Sequence, residues 1–140
     1  QQWQAPGSEF GFQYRQGVAA DNERVYYSDG SGYLIAYDAA TGEERWRNSG
    51  ATAEVQSWGS SPVITDDALY VTANDEGPNN GSLAVLDPKT GEQRGLCSSG
   101  IEASGDISVA LANGVAVGNF SGRVVAFESC GLELAGHCLF

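Results

Sequence analysis

A stretch of this chain occurs twice. Ala36-Tyr37-Asp38-Ala39-Ala40-Thr41-Gly42-Glu43-Glu44-Arg45-Trp46 returns 49 residues later as Val85-Leu86-Asp87-Pro88-Lys89-Thr90-Gly91-Glu92-Gln93-Arg94-Gly95. An internal repeat at such a spacing means that each copy is one supersecondary unit, which buries its apolar surface against its neighbours and not within itself. The unit extends upstream of the shared run. Val25-Tyr26-Tyr27-Ser28 aligns with Leu69-Tyr70-Val71-Thr72 and, more loosely, with Val115-Ala116-Val117-Gly118. A third copy is thereby visible. Its apolar run Arg123-Val124-Val125-Ala126-Phe127-Glu128 matches Tyr33-Leu34-Ile35-Ala36-Tyr37-Asp38 and Ser82-Leu83-Ala84-Val85-Leu86-Asp87, and all three end on an acid.

Short β-rich runs separated by Gly, Asn, Asp and Ser predict an all-β chain of about four strands per unit, with no helical period. Asp21-Asn22, Asp66-Asp67 and Asn113-Gly114 are the expected hairpin turns, because Asn, Asp and Gly tolerate positive φ or bond the local backbone. The Asp-x-x-Thr-Gly segments predict a turn between third and fourth strands. There the Asp38 or Asp87 carboxylate and the Thr41 or Thr90 hydroxyl bond backbone amides, while Gly42 or Gly91 takes a conformation closed to other residues. Trp46 supplies a large flat face for a neighbouring unit. In the third copy Gly131-Leu132 replaces Thr-Gly, and neither later copy keeps the tryptophan.

The form A-x-D-x-x-T-G-x-x-x-W, met in full by Ala36, Asp38, Thr41, Gly42 and Trp46 and in part by Asp87, Thr90 and Gly91, resembles the tryptophan-docking motif of quinoprotein-type β-propellers, the pyrroloquinoline-quinone-like repeat family. The resemblance implies four-stranded antiparallel blades: residues 10–50, 51–99 and 100–140 form three, and residues 1–9 form the last strand of a preceding blade. It extends over nearly the whole chain. Members of the family include quinone- and calcium-dependent dehydrogenases, whose cofactor lies in the central region of a complete ring, and cofactor-free scaffolds such as propeller lipoproteins of outer-membrane assembly. The expectation for this chain is the blade architecture without the cofactor.

Closed propellers have about 4 to 8 blades, and 140 residues supply three with an extra strand. Open blade faces are an apolar liability that something has to cover. The expected cover is a second copy: the Trp3 segment of one chain meets the incomplete last blade of the next, by strand addition or tryptophan docking. Head-to-tail contacts of that kind yield a ring or a filament. The rivals are a fragment of a larger quinoprotein-type dehydrogenase or propeller scaffold, and a carbohydrate- or peptide-binding module using Trp58 and the tyrosines.

Charge bears on partners, since 18 acidic residues against 7 basic give a net charge of −11. Nucleic acid and anionic membranes are therefore not expected partners. The setting expected is extracellular or periplasmic. An odd count of three cysteines leaves at least one unmatched within the chain. Cys97 and Cys138 occupy equivalent repeat positions in diverging outer strands, which argues against their pairing. Cys130 with Cys138 is an open alternative, and a leftover cysteine would link copies covalently. Nothing suggests catalysis: there is no nucleophile elbow, zinc-protease or phosphate-loop motif, and the sole histidine, His137, excludes a multi-histidine metal site within one chain. Asp75, Glu76, Asn79 and Asn80 offer oxygen ligands for calcium but lack the spacing of a calcium loop. The reading is a non-enzymatic, self-assembling structural protein.

Overall fold

The computed structural model describes residues 2–5, 17–29, 32–50, 57–59, 61–74, 81–101, 108–112, 115–120 and 122–128. They form three antiparallel sheets and, among these residues, no helix. The first sheet is β1 (Val18–Ala20), β2 (Arg24–Ser28), β3 (Leu34–Asp38) and β4 (Glu44–Asn48), in that order. Its first hairpin is shaped by Asp21. One oxygen of that carboxylate accepts the amides of Glu23 and Arg24, each at 2.7 Å, and the other accepts the Tyr26 hydroxyl at 2.7 Å.

The second sheet contains β5 (Ser57–Trp58), β6 (Val63–Ile64), β7 (Leu69–Asn74), β8 (Gly81–Leu86) and β9 (Gln93–Ile101). β5 and β6 both pair with β7, at opposite ends, so the expected first strand of this blade is broken in two. Pro62 just ahead of β6 has no amide to give a ladder. In the gap, the Gly59 amide donates to the Thr72 carbonyl at 2.8 Å. The expected loop from Asn74 to Gly81 has its two ends paired to each other, and its residues 75–80, with the proposed calcium ligands, lie outside the described residues.

The third sheet is β10 (Val109–Ala112), β11 (Val115–Phe120) and β12 (Arg123–Glu128). Ala112 pairs with Val115 across 113–114, so the Asn113-Gly114 connection does link adjacent strands. The fourth-strand segment expected at 132–138 lies outside the described residues. One alignment needs correction here. In the first two sheets the residue before the closing acid pairs with Val25 or Leu69, whereas in the third Phe127 pairs with Ala116 and not with Val115. Ala116 is therefore the counterpart of Leu69, and the sequence alignment of β11 was displaced by one residue. A slip of one exchanges the two faces of a strand; here it moves Ala116 inward and turns Val117 outward.

The sheets stack face to face, and the middle one is covered on both sides. Leu69, Val71, Ala73, Ala84 and Leu86 meet Tyr26, Leu34 and Ala36 of the first sheet. Tyr70, Leu83, Val85 and Cys97 meet Ala116, Phe120 and Phe127 of the third. This double burial explains why β8 is buried at every residue and runs apolar without a break from Leu83 to Leu86. β6 also touches both β1 and β10, so the leading strands of the three sheets converge on one side. No helix among the described residues is long and apolar enough to cross a membrane.

Candidate functional site

The two Asp-x-x-Thr-Gly segments form near-identical turns. Asp38 accepts hydrogen bonds from the amides of Ala40 at 2.9 Å and Thr41 at 2.8 Å, and from the Thr41 hydroxyl at 3.1 Å. Asp87 accepts from the amides of Lys89 at 2.7 Å and Thr90 at 3.3 Å. Each carboxylate also pairs with the arginine seven residues on, Arg45 or Arg94. The Gly42 and Gly91 amides donate back to the carbonyls of Asp38 and Asp87 at 2.9 and 2.8 Å, closing both turns.

What these turns do is receive a tryptophan. Trp46 on β4 lays its ring on Gly91 and donates its indole N–H to the Pro88 carbonyl at 3.0 Å. Trp3 does the same one blade earlier, on Gly42, with its indole N–H on the Ala39 carbonyl at 2.9 Å. Gly42 and Gly91 have φ of 76° and 74°, and a Cβ there would stand 2.7 Å from Trp3 Cδ2 or 2.6 Å from Trp46 Cε3. Glycine is thus required twice over, by the left-handed backbone and by the ring above it. Asn48 reinforces the second joint. Its side-chain amide donates to the Gly91 carbonyl at 2.8 Å, while its own carbonyl accepts the Trp58 indole at 3.1 Å.

Blade 2 has no such tether at Gly95, the counterpart of Trp46, where a Cβ would meet nothing within 4 Å. The joint to blade 3 is held by apolar packing: Phe120 and Phe127, an edge-on pair within blade 3 with centroids 5.8 Å apart, share a core with Tyr70, Leu83, Val85 and Cys97 of blade 2. Trp3, expected to reach into a second copy, is docked within its own chain, and residues 2–5 occupy that place without joining a ladder. Cys97 is fully buried and disulfide-bonded; Cys130 and Cys138 lie outside the described residues. Trp58, a candidate stacking face for a carbohydrate, is 3% exposed in the core between blades 1 and 2.

Electrostatics at the turns favour structure over chemistry. The Arg45 guanidinium and the Thr41 amide hold the Asp38 carboxyl well below the usual carboxylate range. Burial pushes Asp87 up, but the Lys89 amide and Arg94 outweigh it and leave its carboxyl below that range too. A general acid or base requires the opposite displacement, towards neutrality. Beside the Pro88 turn runs an open groove of about 430 Å³ between blades 1 and 2, lined by Asp21, Glu23, Arg24, Asp66 and Lys89 among others. Among the described residues no group of three or more His, Cys, Asp or Glu is arranged to hold a metal ion.

The fold has counterparts of known structure. The computationally designed Ika4 protein superposes with a TM-score of 0.65 at 18% identity, over 95% of this chain and 78% of that one. The quinohemoprotein alcohol dehydrogenase ADHIIG from Pseudomonas putida HK5 gives 0.62 at 17% identity, over 84% of this chain and 25% of that one. BamB from Moraxella catarrhalis gives 0.54 at 23% identity, over 81% of this chain and 33% of that one. The chain therefore spans only a quarter to a third of the two natural proteins. No curated protein matches it in sequence. The family described as "Outer membrane protein assembly factor BamB" matches residues 1–131. With its paired tryptophan-docked turns, the chain belongs to that family of pyrroloquinoline-quinone-like β-propeller repeats.

Proposed function

We propose that the chain is a non-enzymatic propeller scaffold of a periplasmic or extracellular setting, which works by joining protein surfaces through blade faces. The observation that carries this reading is the pair of tryptophan tethers. One clamps blade 1 to blade 2 and the other clamps the segment around Trp3 to blade 1, while the site carboxylates are held in structural bonds. Membership in the family of an outer membrane protein assembly factor supports a place outside the cytosol, as does a disulfide at Cys97. Self-association is the form of joining that an open apolar blade face supports.

The competing reading is a segment of a dehydrogenase. It is tested by titrating the purified chain with pyrroloquinoline quinone and calcium by calorimetry. The scaffold reading expects no saturable heat; saturable binding of quinone to this chain would overturn it.

A further inference from the structure

We propose that the groove between blades 1 and 2 binds a small zwitterion, an amino acid or short peptide with both termini free, whose carboxylate meets Lys89 and whose ammonium meets Asp66. The proposal goes beyond the scaffold reading and does not depend on it. Three turns wall the groove: the hairpin at 21–24 in blade 1, residues 65–66 ahead of β7, and residues 88–89 in blade 2. Its volume of about 430 Å³ suits a small ligand, and a second hollow of about 450 Å³ shares Asn22, Glu23, Arg24 and Lys89 with it.

Most of the charge along these walls is already spent. Arg24 pairs with Glu23 at 2.9 Å, Arg45 pairs with Asp38, and Asp21 accepts two backbone amides and the Tyr26 hydroxyl. The Lys89 ammonium and the Asp66 carboxylate are different. Among the described residues neither side chain makes a hydrogen bond or ion pair, and they stand too far apart to pair with each other. One positive and one negative group thus line the same groove without partners, and a ligand carrying both opposite charges satisfies the two together.

The repeat separates this pair from the needs of the fold. Counted from the turn acids, the place of Lys89 is taken in blade 1 by Ala40, and the two backbone amides bond Asp87 and Asp38 alike, at 2.7 and 2.9 Å. The turn therefore does not call for the lysine, which is the only one in the chain. Asp66, three residues before Leu69, has Asn22 as its counterpart three residues before Val25. The walls are also preorganised, because the Trp46 indole holds the Pro88 carbonyl at 3.0 Å and Asp21 braces the opposite hairpin. A zwitterion has no net charge, so the −11 of the chain does not repel it as it would an anion.

The test is a nuclear magnetic resonance titration of the full chain with triglycine and with free glycine, into the millimolar range at low salt. Two exposed ion pairs give an affinity on the order of millimolar. Saturable shifts of amides in the three turns are expected with either probe, weakening as salt is added; the probe that binds sets the span between the two charges. Acetylating the amine of the bound probe, or amidating its carboxylate, should each weaken binding by about threefold to fivefold. Lys89→Ala and Asp66→Asn borrow the residues of blade 1, and melting curves confirm that both fold. Lys89→Ala should weaken the unmodified probe and make amidation indifferent, while Asp66→Asn should do the same for acetylation. No saturable shift with either probe, or binding that ignores the blocked termini or both variants, overturns the proposal. None of these results bears on the scaffold reading, which is tested by quinone binding.

Discussion

Substituting three glycines one at a time separates backbone strain from tryptophan docking. Gly95 sits in β9 without positive φ and with open space around it, so Gly95→Ala should be neutral or stabilise by up to about 1 kcal/mol by restricting the unfolded chain. Gly100 has φ of 66° and equally open space. Gly100→Ala should cost about 1–2 kcal/mol, the strain of a left-handed residue with a Cβ. Gly91 has the same backbone need at 74°, and its added Cβ would also stand 2.6 Å from Trp46 Cε3 and 2.7 Å from Cδ2. These are ring atoms held by the bond to Pro88. Displacing the ring adds a further 1–3 kcal/mol, typical of overpacking, so Gly91→Ala should cost about 2–5 kcal/mol in total. Urea unfolding followed by circular dichroism and by tryptophan fluorescence measures all three, with coincident transitions as the check on two-state behaviour. If Gly91→Ala costs no more than Gly100→Ala, Trp46 yields freely, and the view of this turn as a rigid socket is wrong.

Other outcomes follow from the same geometry. Trp46→Phe keeps most of the ring but removes the N–H to Pro88, and should lower stability by about 1 kcal/mol in denaturant titrations. Asp38 and Asp87 have carboxyls depressed below their ordinary value in the folded state. The stability they confer is therefore complete above the unfolded carboxylate range and is lost as pH falls through and below it. Asp87→Asn should flatten the acid limb of a stability–pH curve; an unchanged limb would remove these turns from acid unfolding. Burial, and then the bond to Asp21, push the Tyr26 hydroxyl above the ordinary tyrosine range. The folded state thus holds that proton more tightly, and stability is lost as pH rises beyond the unfolded value. Ultraviolet titration should show Tyr26 ionising only with unfolding, and Tyr26→Phe should shrink that step without abolishing it, since burial also raises Tyr27, Tyr37 and Tyr70.

The legible part of this protein was local chemistry. An Asp-x-x-Thr-Gly run can satisfy its own amides within a few residues, so the turns at Asp38 and Asp87 and their need for glycine follow from spacing alone. The hairpin at Asp21 and the apolar run of β8 were readable for the same reason. The β11 register was not, because Val115-Ala116-Val117 alternates apolar residues of similar size and so marks neither face. The break between β5 and β6 was foreshadowed only by Pro62. The place of residues 1–9 as the last strand of a preceding blade was readable, but that Trp3 docks within its own chain and not on a second copy was not, since an indole near one end of a chain fits any Thr-Gly turn that packing brings to it.

The repeat by itself determined that the chain is all-β, that its units are blades, and that a tryptophan face serves to join them, because periodicity and turn chemistry act over a few neighbouring residues. Tertiary structure alone decided which turn each tryptophan occupies and which side of each strand is covered. Those outcomes depend on how whole sheets stack. Ile35 and Val124 are both β-branched strand residues in equivalent runs, yet the first is fully buried and the second 77% exposed, because burial belongs to what lies across the sheet and not to the residue's neighbours in sequence.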